Sequence, residues 1–164
     1  MAKDREKDIK TNAMRILDTL EIPYEVRTYE GGEFTDGVSL ADRLGAPRES
    51  TFKTLVAAGK GGGYFVFVIP VAEELDMKAA AKAVGEKSVE LIPVRDLQKV
   101  TGYIRGGCTA IGMKKDYPTV IDETCVLFDM IMVSGGRIGS QILLSPDDFI
   151  RASHALCLPI IFEK

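Results

Sequence analysis

The sequence is poor in the residues on which most hydrolytic and metal-dependent sites are built. Its 164 residues include no tryptophan, one histidine and three cysteines. His154 alone cannot build a histidine-based metal site, and no Ser-His-Asp arrangement can be identified around it. Cys108, Cys125 and Cys157 are far apart and have no CxxC spacing, which argues against zinc and against a disulfide framework. We expect no metal and no cofactor.

A leader, a long apolar run and a broad basic face are also missing. The start, residues 1–10, is charged and is expected to be frayed, and no segment is long enough to span a membrane. The net charge is −3 with both signs mixed along the chain, which disfavours strong non-specific nucleic-acid binding but leaves a small local contact open. We expect a single cytoplasmic domain over residues 1–164 without membrane association.

The most informative stretch is a predicted β-hairpin with a lysine in an apolar strand. Residues 51–58 and 64–71 are rich in strand formers and are separated by a glycine turn. Alternation places Lys53 on the same face as Leu55 and Ala57. Lysine is rarely buried without a partner. Either its stem snorkels to water, the commoner behaviour beside apolar surface, or its ammonium is held at the mouth of a cleft.

The rest of the chain predicts roughly seven strands and four or five helices without strict alternation. Several connections are too short for parallel crossovers, so we expect an α+β fold with a mixed, mostly antiparallel sheet and helices around it. The run Val126–Val133 is apolar at nearly every position and is predicted to be a central strand. A helix is predicted over residues 73–84 and a final strand over residues 155–162.

Two glycine-rich loops, residues 101–112 and 134–140, are the other candidates for a site. Neither has the spacing of a P-loop or of a dinucleotide fingerprint. They are either tight turns or loops whose backbone N–H groups can approach an oxyanion. Cys108 lies in the first loop and is the one plausible site cysteine, while Cys125 and Cys157 are predicted core residues.

Five motifs in order resemble one known family. They are Phe52-Lys53-Thr54-Leu55; Val71-Ala72 with Leu75-Asp76-Met77-Lys78; Gly102-Tyr103 with Gly106-Gly107; Pro118-Thr119-Val120-Ile121-Asp122; and Ser134-Gly135-Gly136-Arg137-Ile138-Gly139. This pattern, over about residues 11–162, resembles the YbaK/EbsC family of prolyl-tRNA editing proteins, and closely its Cys-tRNA(Pro) deacylase branch. It is also similar to the editing domain inserted in some prolyl-tRNA synthetases.

The resemblance implies a free-standing enzyme that hydrolyses the aminoacyl ester of tRNA(Pro) mischarged with cysteine, acting with prolyl-tRNA synthetase. It also implies a barrel-like mixed sheet wrapped by helices. The family's essential lysine corresponds to Lys53, with Thr54 beside it, and its pocket tyrosine corresponds to Tyr29. Its glycine loop corresponds to Gly106 and Gly107, and its serine to Ser134. Tyr29 has an alternative as an amphipathic rim residue, and Ser134 has one as a turn cap.

This sequence departs from the family pattern at two positions. Ala110 stands where the family loop often has proline, and Gln141 stands where some members have an aspartate. Gln141 can still hydrogen-bond a substrate but carries no charge, so we include it among the candidate substrate-binding residues. Both departures bear on amino-acid specificity more than on the reaction class.

The expected chemistry is electrostatic. Ester hydrolysis builds negative charge on the carbonyl oxygen, and Lys53 with the amides of Gly106 and Gly107 fits its stabilisation. The family implies that the thiol of the substrate cysteine attacks its own ester. Two alternatives remain: a deacylase for alanine or another small residue on tRNA, and a non-catalytic adaptor that binds tRNA or a synthetase.

Overall fold

The computed structural model describes residues 10–30 and 35–163. Within these ranges there are five α-helices, two 3₁₀ turns and eight strands. The helices are α1 (Asn12–Thr19), α2 (Gly37–Leu44), α3 (Met77–Val84), α4 (Val94–Thr101) and α5 (Pro146–Ser153). The strands are β1 (Glu25–Thr28), β2 (Phe52–Gly59), β3 (Tyr64–Pro70), β4 (Val89–Leu91), β5 (Thr119–Asp122), β6 (Ile131–Arg137), β7 (Ser140–Leu144) and β8 (Leu156–Leu158). The expectation of a frayed start concerns residues that lie almost wholly outside the described ranges.

Polar side chains and glycines fix where the helices begin and end. The Asp76 carboxylate accepts hydrogen bonds from the N–H groups of Lys78 and Ala79, so α3 begins at Met77 and not at residue 73 as predicted. Gly45 and Gly85 adopt left-handed conformations that end α2 and α3. The glycine stops are clear in the sequence, so the predicted helix ends hold, whereas the Asp76 cap lies inside the range predicted as helical.

The strands form two sheets. A five-stranded sheet has the order β4-β2-β3-β5-β8, and a three-stranded sheet has the order β1-β7-β6. The contacts β3-β5 and β5-β8 are parallel and the other strand pairs are antiparallel. An isolated parallel bridge between Thr51 and Met132 links the two sheets. The mixed α+β prediction is confirmed, but the barrel-like closure is wrong because the sheets do not close on themselves.

The predicted central strand Val126–Val133 is wrong over its first half. The Asp122 carboxylate accepts a hydrogen bond from the N–H of Thr124 and starts a 3₁₀ turn over Glu123–Leu127. As a result Val126 and Leu127 are 67% and 74% exposed. The strand that follows, β6, lies at the edge of the three-stranded sheet. An apolar run does not reveal such a turn, because periodicity alone cannot separate it from a buried strand.

The final strand is also shorter than predicted. It covers only Leu156–Leu158, and further along Ile161 forms an isolated bridge with Leu75. Cys125 is fully buried and its sulfur lies 3.9 Å from that of the half-buried Cys157. The prediction that these cysteines pack in the interior is confirmed for Cys125 and holds in part for Cys157.

The predicted hairpin is present, and its alternation divides the core. Phe52 and Val56 of β2 belong to one apolar cluster, and Ala57 with the adjoining Leu55 belongs to another. Lys53 lies opposite Ile69 in the β2–β3 register, near the start of β2. Lys53 therefore lies at the start of β2, on a face that is otherwise packed with apolar side chains.

Candidate active site

Lys53 is half-buried at the start of β2. Burial lowers the pKa of its ammonium, and the charges of Glu74 and Asp36 act in the opposite direction. In the part of the chain that the structure describes, Lys53 forms no ion pair with a carboxylate. It is a cation in a poorly solvated position, where its field on a nearby ligand is weakly screened.

Lys53 lines a cavity of about 470 Å³, a volume typical of small-molecule sites. The walls come from the start of α2, the two ends of the hairpin, the first glycine loop and the β6–β7 pair. Five of the predicted site residues meet here, namely Lys53, Thr54, Gly106, Ser134 and Gln141. Residues separated by almost ninety positions thus share one cavity, which supports a common role.

The bridge between the sheets explains why Lys53 and Ser134 lie on the same cavity. Thr51 pairs with Met132 in parallel, and Lys53 and Ser134 each follow two residues later. Ser134 is in turn paired with the buried Gln141 across β6 and β7. The Ser134 hydroxyl accepts a hydrogen bond from the N–H of Gly136 at 3.2 Å, so the predicted turn-capping role is present. Its own hydroxyl hydrogen is not used by that bond.

The two glycines of the first loop have different surroundings. Gly106 has a φ of 88° and lines the cavity. Gly107 is buried and is not part of the described lining, and its N–H donates to the carbonyl of Ile104 at 2.9 Å. In this conformation the Gly107 amide is already used, so the expected oxyanion contact is limited to Gly106. Gly107 instead packs against β6.

Tyr29 is not among the described residues that line the cavity. It follows the end of β1, its N–H donates to the carbonyl of Gly139 at 3.0 Å, and the guanidinium of Arg43 lies 5.8 Å from its ring centroid. This arrangement agrees with the alternative of an amphipathic rim residue that carries a cation–π contact. Alternation along β1 did not contain the information needed to locate the ring.

Two charged cavity residues were missed by sequence reasoning. Arg105, immediately before Gly106, lines the cavity and is exposed. Asp36 also lines it, and its carboxylate accepts hydrogen bonds from the N–H and hydroxyl of Ser39. The adjacent glycine loop was an available signal for Arg105. Asp36 reads in sequence only as a helix cap, so nothing local indicated the cavity.

Cys108 lines the cavity but is poorly suited to be a nucleophile. It is buried, and burial raises the pKa of its thiol to about 12. At neutral pH the thiol stays protonated and is a weak nucleophile. His154 ends α5 and lines a different, smaller cavity, so it does not serve as a base for Cys108. The described lining of the cavity contains two cations, one carboxylate and several hydrogen-bonding groups, but no activated nucleophile.

Residues 10–30 and 35–163 contain neither a metal-ligand cluster nor a membrane-spanning helix. Within them, no three histidine, cysteine, aspartate or glutamate side chains are grouped so that they could hold a metal ion. The helices in the same ranges are too short or too polar to cross a membrane.

Comparison with known proteins gives a consistent result. The sequence profile of the aminoacyl-tRNA editing domain matches residues 35–152. The chain is 44% identical over 155 residues to EbsC of Enterococcus faecalis (strain ATCC 700802 / V583), a candidate Cys-tRNA(Pro)/Cys-tRNA(Cys) deacylase, with 94% of each chain covered. A solved structure of a candidate trans-editing enzyme for prolyl-tRNA synthetase has a TM-score of 0.79 at 20% identity, covering 95% of this chain and all of that one. The solved structure of APE2540 has a TM-score of 0.83 at 20% identity, covering 93% of this chain and all of that one.

Proposed function

We propose that this chain, which belongs to the aminoacyl-tRNA editing domain family, hydrolyses the aminoacyl ester of Cys-tRNA(Pro). The observation that carries the proposal is the position of Lys53, a half-buried cation in a cavity that also contains Gly106, Ser134 and Gln141. Such a cation stabilises negative charge on an ester carbonyl more strongly than an exposed lysine would. Removal of cysteine from this tRNA prevents its incorporation at proline codons.

The mechanism follows from what the cavity offers. The Lys53 ammonium polarises the ester carbonyl, with the Gly106 amide as a candidate second donor. The thiol sulfur of the substrate cysteine attacks its own carbonyl carbon, and the bond from that carbon to the ribose oxygen breaks. The ribose oxygen takes the proton from the thiol, which yields a cyclic thiolactone and free tRNA. Water then opens the thiolactone to cysteine. The protein supplies orientation and charge stabilisation, and Cys108 stays protonated.

The partners and location follow from the same reaction. The substrate is misacylated tRNA(Pro), and with a net charge of −3 the isolated protein has little electrostatic attraction for RNA. We therefore assign the selection of tRNA(Pro) to association with prolyl-tRNA synthetase in the cytoplasm. The solved relative described as a candidate trans-editing enzyme for that synthetase supports this assignment.

A deacylation assay with a matched lysine control tests the proposal. Purified wild type, Lys53→Ala and Lys60→Ala are compared on Cys-tRNA(Pro) and Ala-tRNA(Pro). Lys60 lies in the exposed turn of the same hairpin, away from the cavity lining, so its variant controls for loss of one charge. We expect Lys53→Ala to lose nearly all activity on Cys-tRNA(Pro) and Lys60→Ala to retain it.

The same assay contains the outcomes that contradict the proposal. Full activity of a folded Lys53→Ala variant would remove Lys53 from the reaction. Hydrolysis of Ala-tRNA(Pro) as fast as that of Cys-tRNA(Pro) would favour a deacylase with broader substrates, and no hydrolysis of either by wild type would favour a non-catalytic adaptor.

A further inference from the structure

We infer that the carboxylate of Asp36 binds the α-ammonium group of the aminoacyl substrate, an inference that rests on the proposed deacylase function. Asp36 supplies the one carboxylate among the described residues of the cavity lining, which also contains the cations Lys53 and Arg105. An aminoacyl ester brings a positive amino group into the same space. The amino group needs a partner, because a cation in a cavity with two protein cations is otherwise destabilised.

The contacts around α2 hold Asp36 in place relative to Lys53. The neighbouring Gly37 packs so closely on Val71 that an added β-carbon would lie 2.5 Å from its Cγ1. The N–H of Val71 donates to the carbonyl of Thr51 at 2.8 Å, two residues before Lys53. The start of α2 is therefore attached to the strand that carries the lysine. The charge of Asp36 is close enough to act on the Lys53 ammonium.

The Asp36 carboxylate is oriented but still has capacity for a ligand. One oxygen accepts from the N–H of Ser39 at 3.0 Å and the other from the Ser39 hydroxyl at 2.9 Å. Each oxygen has a further lone pair, so the group can accept additional hydrogen bonds from an ammonium. The same bonds from Ser39 lower the pKa of Asp36, which keeps it ionised at neutral pH.

The signs of the charges in the cavity complement those of the substrate. An aminoacyl-tRNA end carries a positive amino group, then a carbonyl that becomes negative during reaction, then negative phosphates. The lining of the cavity includes the Asp36 carboxylate, the Lys53 ammonium and the Arg105 guanidinium, which has the sign needed for a phosphate. Some family members have an aspartate where this chain has the uncharged Gln141. In this chain Asp36 supplies a negative charge to the cavity. Because Asp36 and Lys53 carry opposite charges, the cavity distinguishes the amino group of the ester from its carbonyl oxygen.

Asp36 also caps α2, and the test must separate the two roles. Serine is as good a helix cap as aspartate, so Asp36→Ser keeps the cap and removes the charge. Asp76→Ser, at the cap of α3 and away from the cavity lining, is the matched control. The substrates are Cys-tRNA(Pro) and 3-mercaptopropionyl-tRNA(Pro), which has the same thiol and ester but no amino group.

The readout is the ratio of kcat/KM for the two substrates. We expect Asp36→Ser to lower kcat/KM for Cys-tRNA(Pro) about 10- to 100-fold, the size of one hydrogen bond to a charged group, and to leave the deaminated substrate nearly unchanged. Asp76→Ser should not change the ratio. In wild type, the contribution of Asp36 to the preference for the cysteinyl substrate should fall as pH rises and the α-amino group loses its proton, so the ratios for wild type and Asp36→Ser should converge.

The outcomes that overturn the inference are distinct. An equal loss of kcat/KM on both substrates in Asp36→Ser shows a structural role only, and no loss on either substrate shows that Asp36 does not bind the amino group. In either case hydrolysis of Cys-tRNA(Pro) by wild type leaves the proposed function standing. If wild type cleaves neither substrate, the proposed function and the inference both fail.

Discussion

Gly107 lies so close to Arg137 that a β-carbon added to the glycine would be 2.7 Å from the Cα of Arg137 and 2.8 Å from its carbonyl carbon. Real side chains do not come this close to a backbone, so the first glycine loop and the end of β6 contact each other directly. The contact helps to hold the neighbouring Gly106 at the cavity wall. The structure gives Gly107 a packing role where an amide contact to substrate was expected.

A Gly107→Ala variant should therefore lose both stability and activity. The methyl group must displace backbone, and overpacking of this kind costs about 1–3 kcal/mol. Gly61→Ala is the control, because its β-carbon would have no neighbour closer than 3.7 Å. Thermal unfolding and kcat/KM on Cys-tRNA(Pro) measure the two effects. An unaltered Gly107→Ala variant would show that the loop contact is not needed for the site.

Lys53→Met should stabilise the fold while it abolishes deacylation. Burial disfavours the charged form of Lys53, and methionine fills similar volume without a charge. Relief of a locally unfavourable site residue is commonly worth about 0.5–2 kcal/mol, or roughly 2–4 °C in Tm per kcal/mol for a chain of this size. Thermal unfolding of the two proteins measures the difference, and a lower Tm for Lys53→Met would contradict it.

The lowered pKa of Lys53 should also make the stability of the protein depend on pH. The pKa of this lysine is lowered in the folded state, so between that pKa and the unfolded value of about 10.4 the unfolded chain binds more protons. As pH rises between these two pKa values, wild type should gain stability relative to Lys53→Met. The difference in Tm between the two proteins should therefore become smaller. A gap that is constant up to pH 10 would argue against the unfavourable burial of the ammonium.

The protein's own thiols should be dispensable for catalysis. Burial raises the pKa of Cys108 and that of Cys125 to about 12, so neither is a thiolate at neutral pH. We expect the triple variant Cys108→Ser, Cys125→Ala and Cys157→Ala to retain most of the activity, once circular dichroism has shown that it is folded. Mass spectrometry of the wild-type enzyme during turnover provides the opposing result: an acyl group on any cysteine would make that residue a nucleophile.

Substrate choice should be made in the chemical step. Serine and alanine are close in size to cysteine, and one small group is worth only about 1–3 kcal/mol in a pocket. If the thiol of the substrate attacks, Cys-tRNA(Pro) should be cleaved fastest, and Ser- and Ala-tRNA(Pro) should bind but react slowly. Single-turnover rates compare the three, and rapid quenching with mass spectrometry should detect a thiolactone before free cysteine. Equal rates for Ala- and Cys-tRNA(Pro) would exclude attack by the substrate thiol.

Features set by neighbouring residues were predictable from the sequence. The alternation along β2 located Lys53, and Gly45 and Gly85 marked two helix ends. Features set by distant contacts were not. The turn that exposes Val126 is an exception, because the nearby Asp122 sets it and the apolar run from Val126 onward concealed it. The family resemblance supplied the grouping of Lys53 with residues far along the chain.

The candidate site shows the same division. The resemblance named the five predicted residues that share the cavity, but it did not reveal that the Gly107 N–H donates to the carbonyl of Ile104. Asp36 reaches the cavity through the contact of Gly37 with Val71, a relationship between residues that are distant in sequence. No local pattern contains that information.

The bridge between Thr51 and Met132 also has a consequence for synthesis of the protein. One wall of the cavity comes from residues up to Cys108, whereas Ser134 and Gln141 come from β6 and β7. While the chain is still emerging from the ribosome, the hairpin with Lys53 can form before its opposite wall exists. Contacts of such long sequence separation form late because closing the intervening loop is entropically unfavourable. The nascent chain therefore cannot act on the aminoacyl-tRNAs that surround it at the ribosome until β6 and β7 have been made.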